Sequence, residues 1–381
     1  MRIFLKGILF LVVGLAVGGA GFFIFSKTSL YAKWRQGAGP GIIQEALPIV
    51  YYNDPDVGPM LLPRTKIHYK TPYFDTSVVT NREGFTGRDY PLSKSNYRIA
   101  ILGDSAVEAY AVVDESRFPH VTESMVYKKT NGRLKVDVMG FGISGWGSVH
   151  HYAALRKYVL KYQPDEVWLE FLPTNDLGDN TPLMNGPPNG PTFIYRNAES
   201  NEIVDIRFGY PELPDALHDE RKRRYGEKVS DTWGKWHAGL QPYYWSPEIN
   251  PHWELILDHT WQTLKLIKTL CDQAGVKKVA IVYRMTGYDN NKGELSAYQK
   301  EASAFLKHDL PMEQELGRRR FREKVTSLGF DFIDTHDMKA SGINTRSDEI
   351  EPAKHANMAD FFSDVIINRL TASARTSNLK K

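Results

Sequence analysis

The chain has 381 residues, 42% of them hydrophobic and 24% charged, a globular composition with room for one large core or two smaller ones; it excludes a disordered or low-complexity chain. Its 48 basic and 45 acidic residues leave a formal charge of +3, too small and too mixed to mark nucleic acid as a partner. The single cysteine, Cys271 in "LIKTLCDQAG", excludes an internal disulfide and a cysteine-based zinc cluster, and in that apolar helical setting it reads as a small buried hydrophobe.

In chain order, the first element is an uncharged apolar run from Gly7 to Phe25. It is long enough to cross a hydrocarbon core of ~30 Å. A cleaved signal peptide usually has a shorter apolar region ending in a small-x-small site, whereas "AVGGAG" here runs on into "FFIF". A retained membrane anchor over residues 1–35, flanks included, is therefore expected. Its orientation is not set by charge, because Arg2 and Lys6 on one side face Lys27, Lys33 and Arg35 on the other. Residues 36–95, rich in Gly, Pro, Tyr and Asp, read as a lead-in of short strands with a turn at "NREG".

From Tyr97 onward, apolar runs of strand length alternate with helical periodicity. "YRIAIL" ends at "GDS", "LKVDVM" at "GFG", "DEVWLEFL" at "PTND", "KKVAIVYRM" at "TG" and "GFDFID" at "THD". Near-continuous apolar strands between helices predict a mainly parallel five-stranded sheet covered on both faces, a three-layer α/β/α sandwich over residues 96–374. A long irregular insertion occupies residues 177–250, with "LMNGPPNGP", the charge run "HDERKRRYGEK" and the aromatics of "DTWGKWHAGLQPYYW". The charge run reads as a solvated face. The aromatics argue against disorder and admit either a lid over the strand ends or packing against the sheet edge.

Ligands of open α/β sheets bind beyond the carboxyl ends of the strands, so polar residues just after strands are the candidates. Ser105 follows the Gly-Asp turn after the first strand, at a helix start where unpaired N–H groups stabilise negative charge; taken alone, the triplet reads as a turn with an N-cap. "VMGFGISGWG" matches G-x-G-x-x-G at Gly140, Gly142 and Gly145, between a strand and a helix. A dinucleotide loop belongs on the first strand of its unit and needs an acidic residue ending the next one, where "PTND" stands beyond Glu170. Asn175, in "FLPTNDLGDN", can donate its side-chain amide to a developing oxyanion or close a local Asn-Asp turn.

Near the C-terminus, "PAKHANMADF" puts His355 ahead of an amphipathic helix with Met358, Phe361, Phe362, Val365 and Ile366 on its apolar face. Asn357 is the expected N-cap, which leaves His355 in the preceding loop, within reach of the strand ends. The other histidines, His150, His151 and His336 among them, lack metal-ligand spacing such as H-E-x-x-H, and no metal is expected.

"GDS", "GISG" and "TND" on successive strand ends, with a His followed by x-Asn near the C-terminus, resemble the SGNH/GDSL hydrolase family over residues 97–372. "NREGFTGRDYP" and "PDEVWLEFLPTND" fit the same resemblance. It implies Ser105 as nucleophile and, through its own N–H, as oxyanion donor; Gly145 as a second backbone donor; Asn175 as a side-chain donor; and His355 as general base, with no cofactor. That set is complete for acyl transfer through a serine ester, and Asp104 reads as structural.

One position departs from the family pattern. The aspartate expected three residues before the histidine is Pro352 here, and the nearest acids are Glu351, Glu349 and Asp348. An acid there fixes the imidazole tautomer and stabilises the imidazolium. Glu351 is the candidate replacement; the other outcomes are a backbone carbonyl holding the ring, or a site that has lost catalysis. The expected function is a membrane-anchored serine esterase, its catalytic domain periplasmic or extracytoplasmic on the strength of the resemblance, acting on O-acyl or O-acetyl groups of an envelope glycan or small ester. An O-acyltransferase would use the same site, partnered by a multi-pass membrane acyltransferase, with the aromatics from Trp233 to Trp245 binding sugar rings and excluding water. A non-catalytic binding subunit of the same fold is the third expectation.

Overall fold

A computed structural model describes residues 51–70, 75–180, 193–208, 239–338 and 352–378. The expected anchor over residues 1–35, the charge run, Trp233 and Glu351 lie outside the described residues. Among the described residues, no helix is long and apolar enough to cross a membrane. The sheet and the described candidate residues lie in one compact unit formed by residues 49–67 and 76–381. Of the second unit, residues 1–48 and 68–75, only His68–Lys70 and Asp75 are described, with His68 and Asp75 paired at 3.0 Å.

The lead-in forms short strands, as its composition predicts: β1 (Tyr51–Asp54), β2 (Gly58–Leu61), β3 (Lys66–Lys70) and β4 (Asp75–Val79), with β1 and β2 antiparallel. The turn at "NREG" is closed by the Gly84 N–H donating to the Asn81 carbonyl at 3.1 Å and the Asn81 N–H donating to the Phe85 carbonyl at 2.7 Å. That turn buries Phe85 edge-on against Phe141, Trp146 and Tyr158, at ring separations of 5.1, 5.7 and 5.7 Å. Much of the lead-in is thus part of the sheet unit rather than a separate module.

The five apolar runs become β5 (Tyr97–Gly103), β6 (Val136–Gly142), β7 (Glu166–Phe171), β10 (Lys278–Tyr283) and β11 (Asp331–Asp334). They pair in the order β11-β10-β7-β5-β6, every pair parallel. β7 is buried along its whole length, as a strand covered on both faces must be. Between β7 and β10, the hairpin β8 (Phe193–Arg196) and β9 (Ile203–Arg207) belongs to the insertion.

The described α-helices are α1 (Ser105–Glu108), α2 (Phe118–Lys129), α3 (Ser148–Ala154), α4 (Pro173–Asp179), α5 (Pro251–Gln273), α6 (Gly287–Asn290), α7 (Lys292–Leu306), α8 (Leu316–Ser327) and α9 (Pro352–Asn378). On one face of the sheet, Phe118 and Val126 of α2 and Met358, Phe362 and Ile366 of α9 share a core with Ile99, Ile101, Val138 and Trp168. On the other, Phe171 stacks on Phe321 of α8 at 4.4 Å, and Trp261 of α5 meets Phe321 at 5.3 Å. Sheet and two helical layers make the expected three-layer sandwich. Cys271 is buried, a small apolar filler in α5.

Trp168 is fully buried in the middle strand, and its Nε1–H donates to Glu166 at 2.9 Å. Trp168→Ala is expected to cost about 3–5 kcal/mol of unfolding free energy, read from the urea midpoint at unchanged slope.

Two expectations do not hold in full. Helix α9 starts at Pro352, not after His355, so Asn357 is an exposed position inside the helix rather than its N-cap. Proline suits the first helical turn, because its φ is already helical and its missing N–H would have had no intrahelical partner. The expected sugar-binding aromatics from Trp233 to Trp245 fail in part: Tyr243, Tyr244 and Trp245 are buried in the core, and the Trp245 Nε1–H donates to Asp289 at 2.9 Å, while Trp233 and Trp236 lie outside the described residues.

Candidate active site

β5 lies between β6 and β7, so the crevice beyond its carboxyl end is the natural ligand position of this sheet. Gly103 ends the strand, and Asp104 caps the short helix α1, its Oδ1 accepting the Ala106 N–H at 3.2 Å. Ser105 is the first residue of α1 and half-buried. Ala109, at φ +48°, closes the helix in the left-handed region after a single turn.

Asn175 comes to the same turn from the end of β7. It sits in α4, and its Nδ2–H donates to the Asp104 Oδ2 at 2.9 Å. A side-chain amide carries two N–H groups, and Asp104 engages one of them, which orients the other. The capping aspartate therefore ties the third strand end to the turn that carries Ser105.

Gly145 arrives from the end of β6. The Trp146 N–H donates to the Ile143 carbonyl at 3.0 Å, and Gly145 has φ +79°, the left-handed value a type II turn requires at its third position. Gly145 is exposed, and a Cβ there would meet nothing within 4 Å, so the turn faces open space. Just before it, the Ser144 N–H and Oγ–H both donate to Glu108 Oε2, at 2.5 and 2.6 Å. Gly142 is needed for a different reason: a Cβ on it would stand 2.5 Å from Val107 Cβ and 2.8 Å from the Asp104 carbonyl. Helix α1 occupies the space a pyrophosphate would need beside this glycine, which removes the nucleotide reading of Gly140, Gly142 and Gly145.

Ser105, Gly145 and Asn175 are thus gathered around one short helix, through Asp104 on one side and Glu108 on the other. His355 is held elsewhere, by α2. It is fully buried in the first turn of α9, its Nδ1 accepts the Phe118 N–H at 3.1 Å, and its ring stacks on Phe118 with centroids 5.7 Å apart. A neutral imidazole whose Nδ1 accepts a hydrogen bond carries its proton on Nε2. A base for serine needs the reverse, with Nδ1–H donating and Nε2 ready to take the hydroxyl proton. To act as such a base the ring would have to give up the Phe118 bond and leave that buried N–H without its acceptor. Glu351, the expected orienting acid, lies outside the described residues.

The ionisable residues near the end of β5, Glu170, Asp176 and His151, are buried. Glu170 forms a buried ion pair with Arg284. Asp176 is buried, and its Oδ2 accepts the Leu172 N–H at 2.6 Å; burial, followed by the charges of Asp104 and Asp179, pushes its pKa well above the usual aspartate value and favours the protonated form. His151 is pushed down to about 3 by burial and then by neighbouring His150, so it is neutral at physiological pH and a poor proton acceptor. Among the described residues, no group of His, Cys, Asp and Glu could hold a metal ion.

Sequence reasoning passed over Glu108. Its signal was a lone charged residue in the apolar run "SAVEAYAVV", since a carboxylate placed among core residues must find donors.

No family model matches the chain, and no curated protein does. Among solved structures, a lipase/acylhydrolase from Enterococcus faecalis is similar at 14% identity, over 72% of this chain and 96% of that one, with a TM-score of 0.35. An esterase from Pseudoalteromonas sp. is similar at 12% identity, over 72% of this chain and 100% of that one, with a TM-score of 0.34. A variant of an acetyl-xylooligosaccharide esterase from Geobacillus is similar at 13% identity, over 70% of this chain and 93% of that one, with a TM-score of 0.36. By their names these are ester hydrolases.

Proposed function

We propose that the protein is a serine ester hydrolase acting on small O-acyl groups, acetyl above all, carried by an envelope glycan or small alcohol. The apolar segment Gly7–Phe25 would hold it to a membrane with the sheet domain outside the cytoplasm. One observation supports the catalytic reading: the bonds Asn175–Asp104 and Ser144–Glu108 tie the segments carrying Asn175 and Gly145 to the short helix that begins with Ser105 at the carboxyl end of β5. In this reading Ser105 Oγ attacks the acyl carbon, its proton passes to His355 once the ring has given up the Phe118 bond, and the oxyanion accepts from the N–H groups of Ser105, Gly145 and Asn175. Collapse expels the alcohol with that proton. Water then cleaves the Ser105 ester by the same route.

The test is release of acetate from 4-nitrophenyl acetate and from an O-acetylated polysaccharide by the purified full chain, with and without added glycan acceptor. Faster product formation with the acceptor, by acyl transfer rather than hydrolysis, would replace hydrolase by transferase. Asn175→Ala is expected to lower kcat about 100- to 1,000-fold, with KM little changed, because the lost donor acts on charge that develops only in the transition state. An unchanged kcat in steady-state kinetics would remove Asn175 from the oxyanion site.

The Phe118–His355 bond favours a second reading, a binding subunit that keeps the fold without turnover, since the ring as placed presents a donor rather than an acceptor at Nε2. Measured acyl-ester turnover that depends on both Ser105 and His355 excludes it.

A further inference from the structure

We propose that Glu108 is a positioning residue that sets the Gly145 oxyanion donor against Ser105, a role that rests on the esterase reading above. Glu108 is fully buried at the end of α1, one turn beyond the nucleophile. Its Oε2 accepts both donors of Ser144, and its Oε1 accepts the Tyr51 hydroxyl of β1 at 2.7 Å. Its carbonyl accepts from Thr86 Oγ1 at 2.5 Å and from Arg117 Nη2 at 2.8 Å.

The consequence falls on one peptide unit. Gly145 N–H belongs to the Ser144–Gly145 peptide, the central peptide of the 143–146 turn. The turn bond from Trp146 to Ile143 sets its curvature. Glu108 sets its distance from α1 by holding the Ser144 N–H and hydroxyl. Glycine at 145 has no Cβ, and a Cβ there would touch nothing, so no packing from its own side chain fixes the donor. The carboxylate does so instead, and it stands on the same helix as Ser105. Burial raises the Glu108 pKa above the usual glutamate value, opposed first by the Ser144 hydroxyl and then by the Tyr51 hydroxyl, the Ser144 N–H and the Arg117 charge. A buried carboxylate is costly unless it is bonded this fully, and a stabilising role alone could be filled by an apolar side chain.

The test uses the full-length chain and compares wild type, Glu108→Gln, Glu108→Ala, Ser144→Ala and Tyr51→Phe. For each, kcat and KM on 4-nitrophenyl acetate and the rate of Ser105 phosphonylation by a fluorophosphonate are measured and normalised to the folded fraction. Glu108→Ala is expected to lose about 10- to 100-fold in kcat with KM within about twofold, since a misplacement of about 1 Å costs on that scale. Phosphonylation slows by the same factor, because it forms the same oxyanion. Glu108→Gln, whose carbonyl still accepts from Ser144, falls between, and Ser144→Ala, which keeps the backbone donor, loses least. If Glu108→Ala does not fold, Tyr51→Phe, which removes one donor to the carboxylate, is expected to show a smaller loss confined to kcat. Variants with wild-type kcat per folded molecule and lowered stability only would overturn the inference while the esterase reading stands. A folded wild type that neither turns over nor labels would overturn that reading, and this inference with it.

Discussion

Ser105→Ala is expected to lose at least about 10⁴-fold in turnover of short acyl esters, with the fold and the unfolding midpoint kept. The serine sits at the first position of α1, and Asp104, not Ser105, provides the side-chain cap of that helix, so the substitution removes the hydroxyl without removing the cap. The Ala106 N–H and Asn175 amide remain bound to Asp104 in the variant, and so the turn keeps its shape. What is lost is the atom that, in the proposed esterase reading, forms the acyl ester. Residual activity reflects the oxyanion donors acting on water attack, and the steady-state rate on 4-nitrophenyl acetate reads it directly. A variant retaining wild-type rate would place the nucleophile elsewhere.

In the esterase reading proposed above, His355→Asn should produce a loss of similar size, and the Ser105→Ala, His355→Asn double variant should lose no more than either alone, because a base and the nucleophile it serves act as one unit. Asparagine is the informative replacement. Its Oδ1 takes roughly the place of the imidazole Nδ1, so the Phe118 N–H keeps an acceptor in a site with no exposure to water. Removing that acceptor altogether would leave a buried donor unsatisfied at a cost of about 1–3 kcal/mol and confuse stability with chemistry. The ring orientation makes a second, separate expectation. Nitrogen-15 shifts of His355 should report the Nε2–H tautomer at rest and a change of tautomer or charge once Ser105 is phosphonylated. A resting ring with its proton on Nδ1 would mean that the Phe118 bond is not the one formed in solution.

The sheet was legible because each strand is a near-continuous apolar run bounded by turn residues, the pattern that parallel strands covered on both faces produce. The Gly-Asp-Ser turn and Asn175 were legible for a related reason: polar residues directly after such runs have to lie at the strand ends. Glu108 was hidden by distance: its place in an apolar run shows that it needs donors, but its Tyr51 partner lies 57 residues away, and nothing local shows which residue would supply the bond. The start of α9 was misplaced because Asn357 satisfies the local rule for an N-cap, while Pro352 satisfies an equally local rule for a first helical residue and the packing of α9 on α2 decides between them. That choice matters to the chemistry. It moves His355 from a loop into a helix turn, against Phe118, and it gives Pro352 a reason: in this chain that position starts the helix. The aromatics at 243–245 show the remaining limit, because composition alone does not tell a sugar-binding surface from a core.

The most direct measurement is intact-mass analysis of the folded, full-length protein after exposure to a fluorophosphonate, followed by peptide mapping. A single phosphonyl adduct on Ser105 is expected, absent from Ser105→Ala and strongly slowed in His355→Asn. A folded protein that stays unmodified, or whose adduct maps to another residue, would contradict the assignment of Ser105 as nucleophile and with it the esterase reading.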